Sequence, residues 1–153
     1  MNYEQTRLET KKHQEKVKNF MQKLIKMQTN RSESHDISKE LSPEIEIFAE
    51  YTPKLAKSTF GSEEYKSFLE EMKPALEHHY ANNRHHPEHF PNGILDMNLV
   101  DLVEMICDWK AASLRHNNGN ILKSIDINKE RFNISDDLAK ILRNTAELLE
   151  YYD

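Results

Sequence analysis

The segment NLVDLVEMICDWKAASLR, residues 98–115, predicts the central helix of the fold. Apolar and small residues recur at helical spacing along one side of it, namely Leu99, Leu102, Val103, Ile106 and Ser113. A narrow polar stripe interrupts the opposite side and consists of Asp101, Glu104, Asp108 and Arg115. That stripe is either a solvated edge of the helix or a polar strip that faces a pocket.

The rest of the chain predicts further helices and no strands. With three glycines and five prolines in 153 residues, tight turns are few, and Glu, Lys, Leu, Met and Ala favour helix. A first helix carries the apolar residues Val17, Phe20 and Leu24, and residues 29–34 are expected to form a loop. The predicted fold class is therefore all-α, as a single-domain helical bundle over residues 1–153 with about six to seven helices.

Capping residues and prolines predict where the other helices begin and end. A second helix is expected to end at Pro53, and Ser62 is expected to cap a third. The third should end near His85, because the residue before a proline avoids the α region. Residues 121–131 form the next predicted helix, and Ser135 caps the last one.

Composition and charge favour a cytoplasmic protein that is not embedded in a membrane. Charged residues make up 31% of the chain and hydrophobic residues 37%, and the formal net charge is −5. No apolar run approaches the length of a membrane span, and the polar N-terminus is unlike a signal peptide. The negative charge argues against non-specific binding to nucleic acid, so an isolated nucleotide is a better candidate partner than a duplex.

The adjacent pair His35-Asp36 is the main functional signal in the sequence. An imidazole nitrogen beside a carboxylate oxygen gives two ligands of different hardness, which suits a divalent first-row transition metal better than calcium. Because the expected loop precedes it, the pair should begin or cap a new element.

Five of the eight histidines fall within residues 78–89, at positions 78, 79, 85, 86 and 89. A site that uses His79 with either His85 or His86 is favoured, because such a cluster can supply two imidazoles to one centre. The alternative is that His85, His86 and His89 lie in an exposed loop around the neighbouring prolines.

The order of these residues along the chain resembles a known superfamily. His13 precedes the His35-Asp36 pair, the histidine cluster follows, and Asp108 comes last. This order, together with the run HDISK at residues 35–39, resembles the HD-domain superfamily of metal-dependent phosphohydrolases and its HD-x-x-K signature. The segments EYTP (50–53), HHPEH (85–89) and VEMICDWKA (103–111) are similar to a small uncharacterised family of Firmicutes and their phages.

The resemblance implies an HD-domain-like fold with one or two divalent ions of manganese, iron, cobalt, nickel or zinc. The metal ligands that it implies are His13, His35, Asp36, His79, His86 and Asp108. Lys39 matches the lysine of the signature and is a catalytic candidate, because it can stabilise negative charge on a phosphate.

Three further residues have expected roles near such a site. Glu104 lies one helical turn before Asp108 and is a catalytic candidate, either as general base or by orienting a ligand. Arg84 and Arg115 are candidates for substrate binding, since a guanidinium offers a fork of donors to a phosphate.

The expected function is a metal-dependent phosphohydrolase or phosphodiesterase that acts on a nucleotide or a related phosphate ester. One alternative is a di-iron oxygenase of the HD type, and another is a non-catalytic module that sequesters a nucleotide, in the host cytoplasm if phage-encoded. The oligomeric state stays open, with a homodimer as one option. The sequence has neither a glycine-rich phosphate loop nor a Gly-x-Ser-x-Gly elbow, and Cys107 is expected to be a buried, inert thiol.

Overall fold

The computed structural model describes residues 2–59, 62–115 and 119–151. Within those ranges the chain forms only helices, which confirms the predicted all-α fold class. The α-helices are α1 (Tyr3–Ser34), α2 (Glu44–Lys57), α3 (Glu63–Asn82), α4 (Leu99–Ser113), α5 (Ile121–Arg131) and α6 (Asp136–Tyr151). Short 3₁₀ helices span Ile37–Glu40, Pro87–His89 and Gly93–Asp96. No helix in the described ranges is long and apolar enough to cross a membrane.

The chain divides into two compact units, Met1–Ser34 and His35–Asp153. The described part of the first unit is essentially α1, and no residue of that helix is buried. The expected loop at residues 29–34 is wrong, because α1 continues through them. Hydroxyl groups there donate hydrogen bonds to carbonyls of the preceding turn, as Thr29 does to Ile25 and Ser34 does to Asn30, and this is compatible with an unbroken helix.

In the second unit, α2 packs against α3. The expected end of α2 at Pro53 is wrong, because the helix continues to Lys57. A proline costs a helix one hydrogen bond, and the packing of α2 against α3, with the Tyr51 ring 6.1 Å from the Phe68 ring, can offset that cost.

The predicted N-cap of α3 is confirmed, but the helix ends earlier than predicted. The Ser62 hydroxyl accepts a hydrogen bond from the Tyr65 backbone N–H, which confirms the predicted N-cap. The helix continues through Pro74 and ends at Asn82, three residues before His85, since the next residue already has extended backbone. This early end leaves residues 83–86 free of helical geometry.

The apolar core of the second unit lies between α4, α5 and α6. Its buried members are Met105, Ile106, Ile121, Ile125, Ile134, Ala139, Leu142 and Ala146. The predicted bounds of α5 are confirmed, and the Ser135 hydroxyl accepts a hydrogen bond from the Leu138 N–H at the start of α6. Cys107 is exposed, so its expected burial is wrong. The reason is its position on α4, next to buried Ile106 but on a different face.

The polar stripe of α4 faces inward in part. Asp101 is 0% exposed and Glu104 is 7% exposed, whereas Leu99 on the expected apolar side is 72% exposed. Buried carboxylates need hydrogen-bond or charged partners, so these two positions point to the polar contacts that organise this part of the fold.

Asp101 fastens the segment between α3 and α4 to the start of α4. Its carboxylate accepts two hydrogen bonds from Arg84, Nε to Oδ1 and Nη2 to Oδ2, each 3.1 Å. It also accepts from the Asn98 backbone N–H, while the Asn98 side chain accepts from the Asp101 N–H, so the two residues form a capping box. The Arg84 guanidinium stacks on Phe90 at 4.8 Å, and this fixes the chain immediately before His85.

Candidate metal centre

The pair His35-Asp36 forms a tight turn. Asp36 has left-handed backbone, with φ 56° and ψ 15°, a conformation that aspartate tolerates better than most residues. Asp36 is the N-cap residue of the 3₁₀ helix Ile37–Glu40, so the expectation that the pair caps a new element is confirmed. Its carboxylate makes no capping bond and is instead bound by Lys39, whose Nζ donates to Oδ2 at 2.5 Å.

Three imidazoles come from the end of α3 and the turn after it. His79 lies in the last turn of α3 and is 2% exposed, and His85 is 1% exposed. His86 is half-buried, and its Nε2 lies 2.9 Å from Nε2 of His79. The exposed-loop alternative is therefore wrong for His85 and His86, because the early end of α3 brings both rings back against that helix.

The α4 helix supplies two carboxylates one turn apart, Glu104 and Asp108. Both lie close to imidazoles: Oδ1 of Asp108 is 3.6 Å from Nε2 of His35, and Oε1 of Glu104 is 2.9 Å from Nδ1 of the same ring. The residues of the turn, the histidine segment and α4 thus meet at one place in the second unit.

Two overlapping groups of these residues could hold a metal ion, since one ligand atom from each member lies within 4.8 Å of the others. We name them the imidazole group and the carboxylate group. The imidazole group is Asp36, His79, His85 and His86. The carboxylate group is His35, Asp36, His85 and Asp108.

The spacing of the ligand atoms suits coordination to an ion. Asp36 Oδ1 lies 3.4 Å from Nε2 of both His79 and His85, and Asp36 Oδ2 lies 3.5 Å from Nε2 of His35. Atoms bound to one ion at about 2.1 Å are about 3.0 Å apart at octahedral angles and about 3.4 Å apart at tetrahedral angles. An ion could therefore enter with small shifts of the side chains.

The shared residues limit how two ions could be bound together. The two oxygens of Asp36 face different neighbours, so this carboxylate could bridge two ions. His85 approaches both groups through Nε2 only, and one nitrogen lone pair binds one ion. With two ions present, one would have four protein ligands and the other three, which leaves that second ion a coordination position for water or substrate.

Glu104 lies against the Nδ1 atoms of two imidazoles and hydrogen-bonds one of them. His35 Nδ1 donates to Oε1 of Glu104 at 2.9 Å, and the carboxylate can only accept, so Nδ1 carries the proton. His85 Nδ1 lies 3.0 Å from the same oxygen. In both rings Nε2 is consequently directed to the site, which is the arrangement by which a carboxylate positions a metal-binding histidine.

Glu44, at the start of α2, does the same for His79. It is 0% exposed, and its Oε2 accepts from Nδ1 of His79 at 2.8 Å and from the Ser38 hydroxyl at 3.1 Å. Its Oε1 accepts from Nδ1 of His78 at 2.7 Å. Sequence reasoning missed Glu44, because its partners are 34 and 35 residues away.

Three buried atoms of the site have no hydrogen-bond partner among the described residues, namely Asp36 Oδ1 and both ring nitrogens of His85. The approach of His85 Nδ1 to Glu104 is close enough for an ion pair but is not aligned as a hydrogen bond. Buried polar atoms without such bonds are costly in the absence of a compensating partner. Asp36 and His85 are common to both groups, and Asp36 Oδ1 lies 3.4 Å from His85 Nε2, so one cation bound between them would satisfy both atoms.

The electrostatics differ between the two groups. The nearby Asp108 carboxylate, and then the hydrogen bond to Glu104, raise the pKa of His35 to about 10, so the carboxylate group attracts positive charge. Burial, followed by the neighbouring His85 and His79, lowers the pKa of His86 to about 3. His86 is therefore neutral near pH 7, with a lone pair available to a metal.

A cleft of about 520 Å³ opens beside the imidazole group. His79 and His86 line it together with two cationic side chains, Lys39 and Arg115. A molecule in the cleft would thus have two imidazoles of the candidate metal centre and two cationic side chains in its walls.

The structure brings together His35, Asp36, His79, His86 and Asp108 of the predicted ligands, and adds His85. His13 is exposed on α1 and belongs to neither group, so its role as a ligand stays a prediction. His89 also lies outside both groups, and its Nδ1 donates to the Tyr80 carbonyl.

The other predicted site residues divide into two kinds. Lys39 and Arg115 line the cleft, where contact with a substrate is feasible. Glu104 contacts the Nδ1 side of the imidazoles, opposite the Nε2 atoms that face the candidate site. This position fits the orienting role better than that of a general base. Arg84 is bound by Asp101, so its contacts favour a structural role, and substrate binding by Arg84 stays a prediction.

Comparison with known proteins gives the family of this chain and no activity. Residues 2–148 match the model of the family of unknown function DUF5662, and the chain belongs to that family. No curated protein and no solved structure matches it. The kinship with the HD-domain superfamily stays a prediction.

Proposed function

We propose that this member of the DUF5662 family is a metal-dependent hydrolase of phosphate esters. The observation that carries the proposal is the convergence of four imidazoles and two carboxylates, two of whose imidazoles, His79 and His86, line a cleft together with Lys39 and Arg115. Nitrogen and oxygen ligands of this kind favour a divalent first-row transition metal, such as manganese, iron, cobalt, nickel or zinc.

The side chains of the site have separable tasks in such a reaction. A bound divalent ion would polarise the phosphoryl group and lower the pKa of a coordinated water. Glu104 and Glu44 hold the imidazoles with Nε2 facing the site, so that the ligands need little rearrangement. In the hydrolysis, the oxygen of water forms a bond to phosphorus, the ester P–O bond breaks, and a proton from water passes to the leaving alcohol.

Lys39 and Arg115 supply the charge that a phosphate ester needs. The phosphate carries negative charge in the ground state and in the transition state, and fixed cations in a partly enclosed cleft stabilise it. Lys39 already contacts the Asp36 carboxylate, so it can place one phosphate oxygen next to the ligands of the site. These two cations favour hydrolysis of a phosphate ester over oxygen activation, which needs no such pair.

Hydrolysis of phosphate esters by the purified full-length chain tests the proposal. We would assay inorganic phosphate release from a panel of aryl, alkyl, sugar and nucleotide phosphates, with Mn²⁺, Fe²⁺, Co²⁺, Ni²⁺ or Zn²⁺ added in turn. We expect turnover that a chelator abolishes and the metal restores, and at least a hundredfold loss of kcat in His85→Ala. Asp137→Asn, which changes an exposed carboxylate of α6, should keep full activity. Metal binding without hydrolysis of any ester would overturn the proposal.

A further inference from the structure

We propose that the cleft selects phosphate esters of apolar alcohols, such as alkyl, prenyl or aryl phosphates, over nucleotides. The inference deepens the proposed function by naming a substrate class for the same site. Its binding part, however, can be tested without turnover.

Part of the wall of the cleft is apolar. The α2 helix contributes Ile45 and Phe48, and α3 contributes Met72 and Leu76. Ile45 is 46% exposed, so the apolar wall is accessible to a ligand from solvent. An apolar chain that covers these side chains gains affinity in proportion to the area removed from water.

The apolar wall begins directly at the metal-ligating imidazoles. The Phe48 ring lies 6.3 Å from the His79 ring in an edge-on arrangement, and the Tyr80 ring lies 5.1 Å from the His86 ring. An ester whose phosphate contacts His79 and His86 would therefore place its alcohol part against Phe48 and Tyr80. The cleft thus combines imidazoles and cations with adjoining apolar side chains, which matches a phosphate head joined to an apolar tail.

The same wall is poorly suited to a nucleobase. Specific recognition of a base needs donors and acceptors placed against its edges. Among the described residues that line the cleft there is no Asn, Gln, Asp or Glu, and Thr52 offers the only aliphatic hydroxyl. A base in this cleft would lose its hydration and find few side-chain acceptors for its own donors.

Binding of non-hydrolysable alkylphosphonates tests the substrate class. We would titrate the full-length chain, loaded with Mn²⁺ or Zn²⁺, with methyl-, butyl- and octylphosphonate by calorimetry, at concentrations below micelle formation. Each methylene that is buried should tighten binding by up to about fourfold, equivalent to about 0.8 kcal/mol. We expect at least a tenfold lower Kd for octyl- than for butylphosphonate, and weaker binding of AMP than of octylphosphonate. Equal affinity along the series, or tighter binding of AMP, would overturn the inference.

Two variants of α3 test whether the chain-length dependence of binding arises in the cleft. Leu76→Gln puts a polar side chain of similar size into the cleft and should reduce the gain in affinity from butyl- to octylphosphonate to less than threefold. Leu69→Gln is the matched control, because Leu69 is on α3 but does not line the cleft. If Leu76→Gln fails to fold by circular dichroism, Ile45→Gln at the exposed end of the cleft replaces it. Full chain-length dependence in the folded cleft variant would contradict the assignment.

The two proposals fail in different ways. Chain-length-dependent binding without hydrolysis of any ester would keep the inference and reject the proposed function. Hydrolysis at the same rate for esters of polar and apolar alcohols would keep the proposed function and reject the inference. A second copy is another occupant of an apolar cleft: a dimer in light scattering that Leu76→Gln dissociates, with no binding of octylphosphonate, would also overturn the inference.

Discussion

Asp36 is the residue on which the proposed metal centre depends most. Its left-handed backbone places the carboxylate beside three imidazoles, and it is a member of both candidate groups. Burial would raise the pKa of this carboxyl, but the hydrogen bond and charge of Lys39 lower it on balance, so Asp36 is ionised and able to bind a cation. The sequence indicates this residue through its place next to His35, but the conformation that directs its carboxylate is evident only in the structure.

Asp36→Asn tests this residue with little change of shape. Asparagine also tolerates left-handed backbone, so the fold should persist and the far-ultraviolet circular dichroism should not change. The loss of charge should weaken metal binding at least tenfold, and Asp36→Ala should strip most of the metal. Competition with a fluorescent chelator measures the affinity. Asp137→Asn serves as the control. Metal affinities of the two Asp36 variants equal to those of the unmodified protein and the control would contradict the role of Asp36.

Glu104→Gln tests whether a residue outside the metal groups positions the ligands. Since orienting carboxylates typically change metal affinity or activity by about 10- to 100-fold, we expect a loss in that range. After a chelator has removed the metal, Glu104→Gln should give the same circular dichroism spectrum as the unmodified protein. An unchanged spectrum shows that the loss of affinity comes from misplaced ligands and not from unfolding. His89→Gln is the matched control, because that half-buried histidine binds the Tyr80 carbonyl and lies outside both groups. An unaltered metal affinity in Glu104→Gln would reject the positioning role.

At the scale of elements, the site depends on where α3 ends and on the inward face of α4. The end of α3 at Asn82 allows His85 and His86 to approach His79. The ion pair between Arg84 and buried Asp101 then fixes this segment to α4, which carries Glu104 and Asp108.

Arg84→Ala should destabilise the second unit, because it leaves the Asp101 carboxylate buried without its bidentate partner. We expect the free energy of unfolding to fall by about 2 kcal/mol, since hydrogen bonds to buried charged groups contribute on that scale. Urea denaturation of the metal-free proteins measures the free energy of unfolding. Arg131→Ala breaks an exposed pair with Glu88 and should cost only about 0.5 kcal/mol. Comparable losses in the two variants would show that Asp101 needs no such partner.

At the scale of the whole molecule, periodicity and caps predict more of the fold than of the site. The all-α class, the bounds of α5 and the cap of α3 follow from local patterns, which the chain obeys. The continuation of α2 through Pro53 does not, because packing against α3 overrides a local signal.

The residues of the candidate site could also be predicted only in part, because some of them are brought together by packing alone. The adjacent pair indicates His35 and Asp36, and the resemblance to the HD-domain superfamily added His79, His86 and Asp108 before the structure. From the residues alone the choice between His85 and His86 could not be made, and the structure includes both. Glu44 has no local signal, since only the packing of α2 against α3 brings this carboxylate to His78 and His79.

The metal content of the full-length protein tests the central claim most directly. We would purify the chain without a histidine tag and measure metals by inductively coupled plasma mass spectrometry, both as isolated and after incubation with each divalent ion and gel filtration. The structure leads us to expect one to two equivalents of a first-row transition metal per chain, with less than a tenth of that amount in Asp36→Ala. A native protein that neither contains such a metal nor retains one after incubation would contradict the metal centre, and with it the proposed hydrolysis.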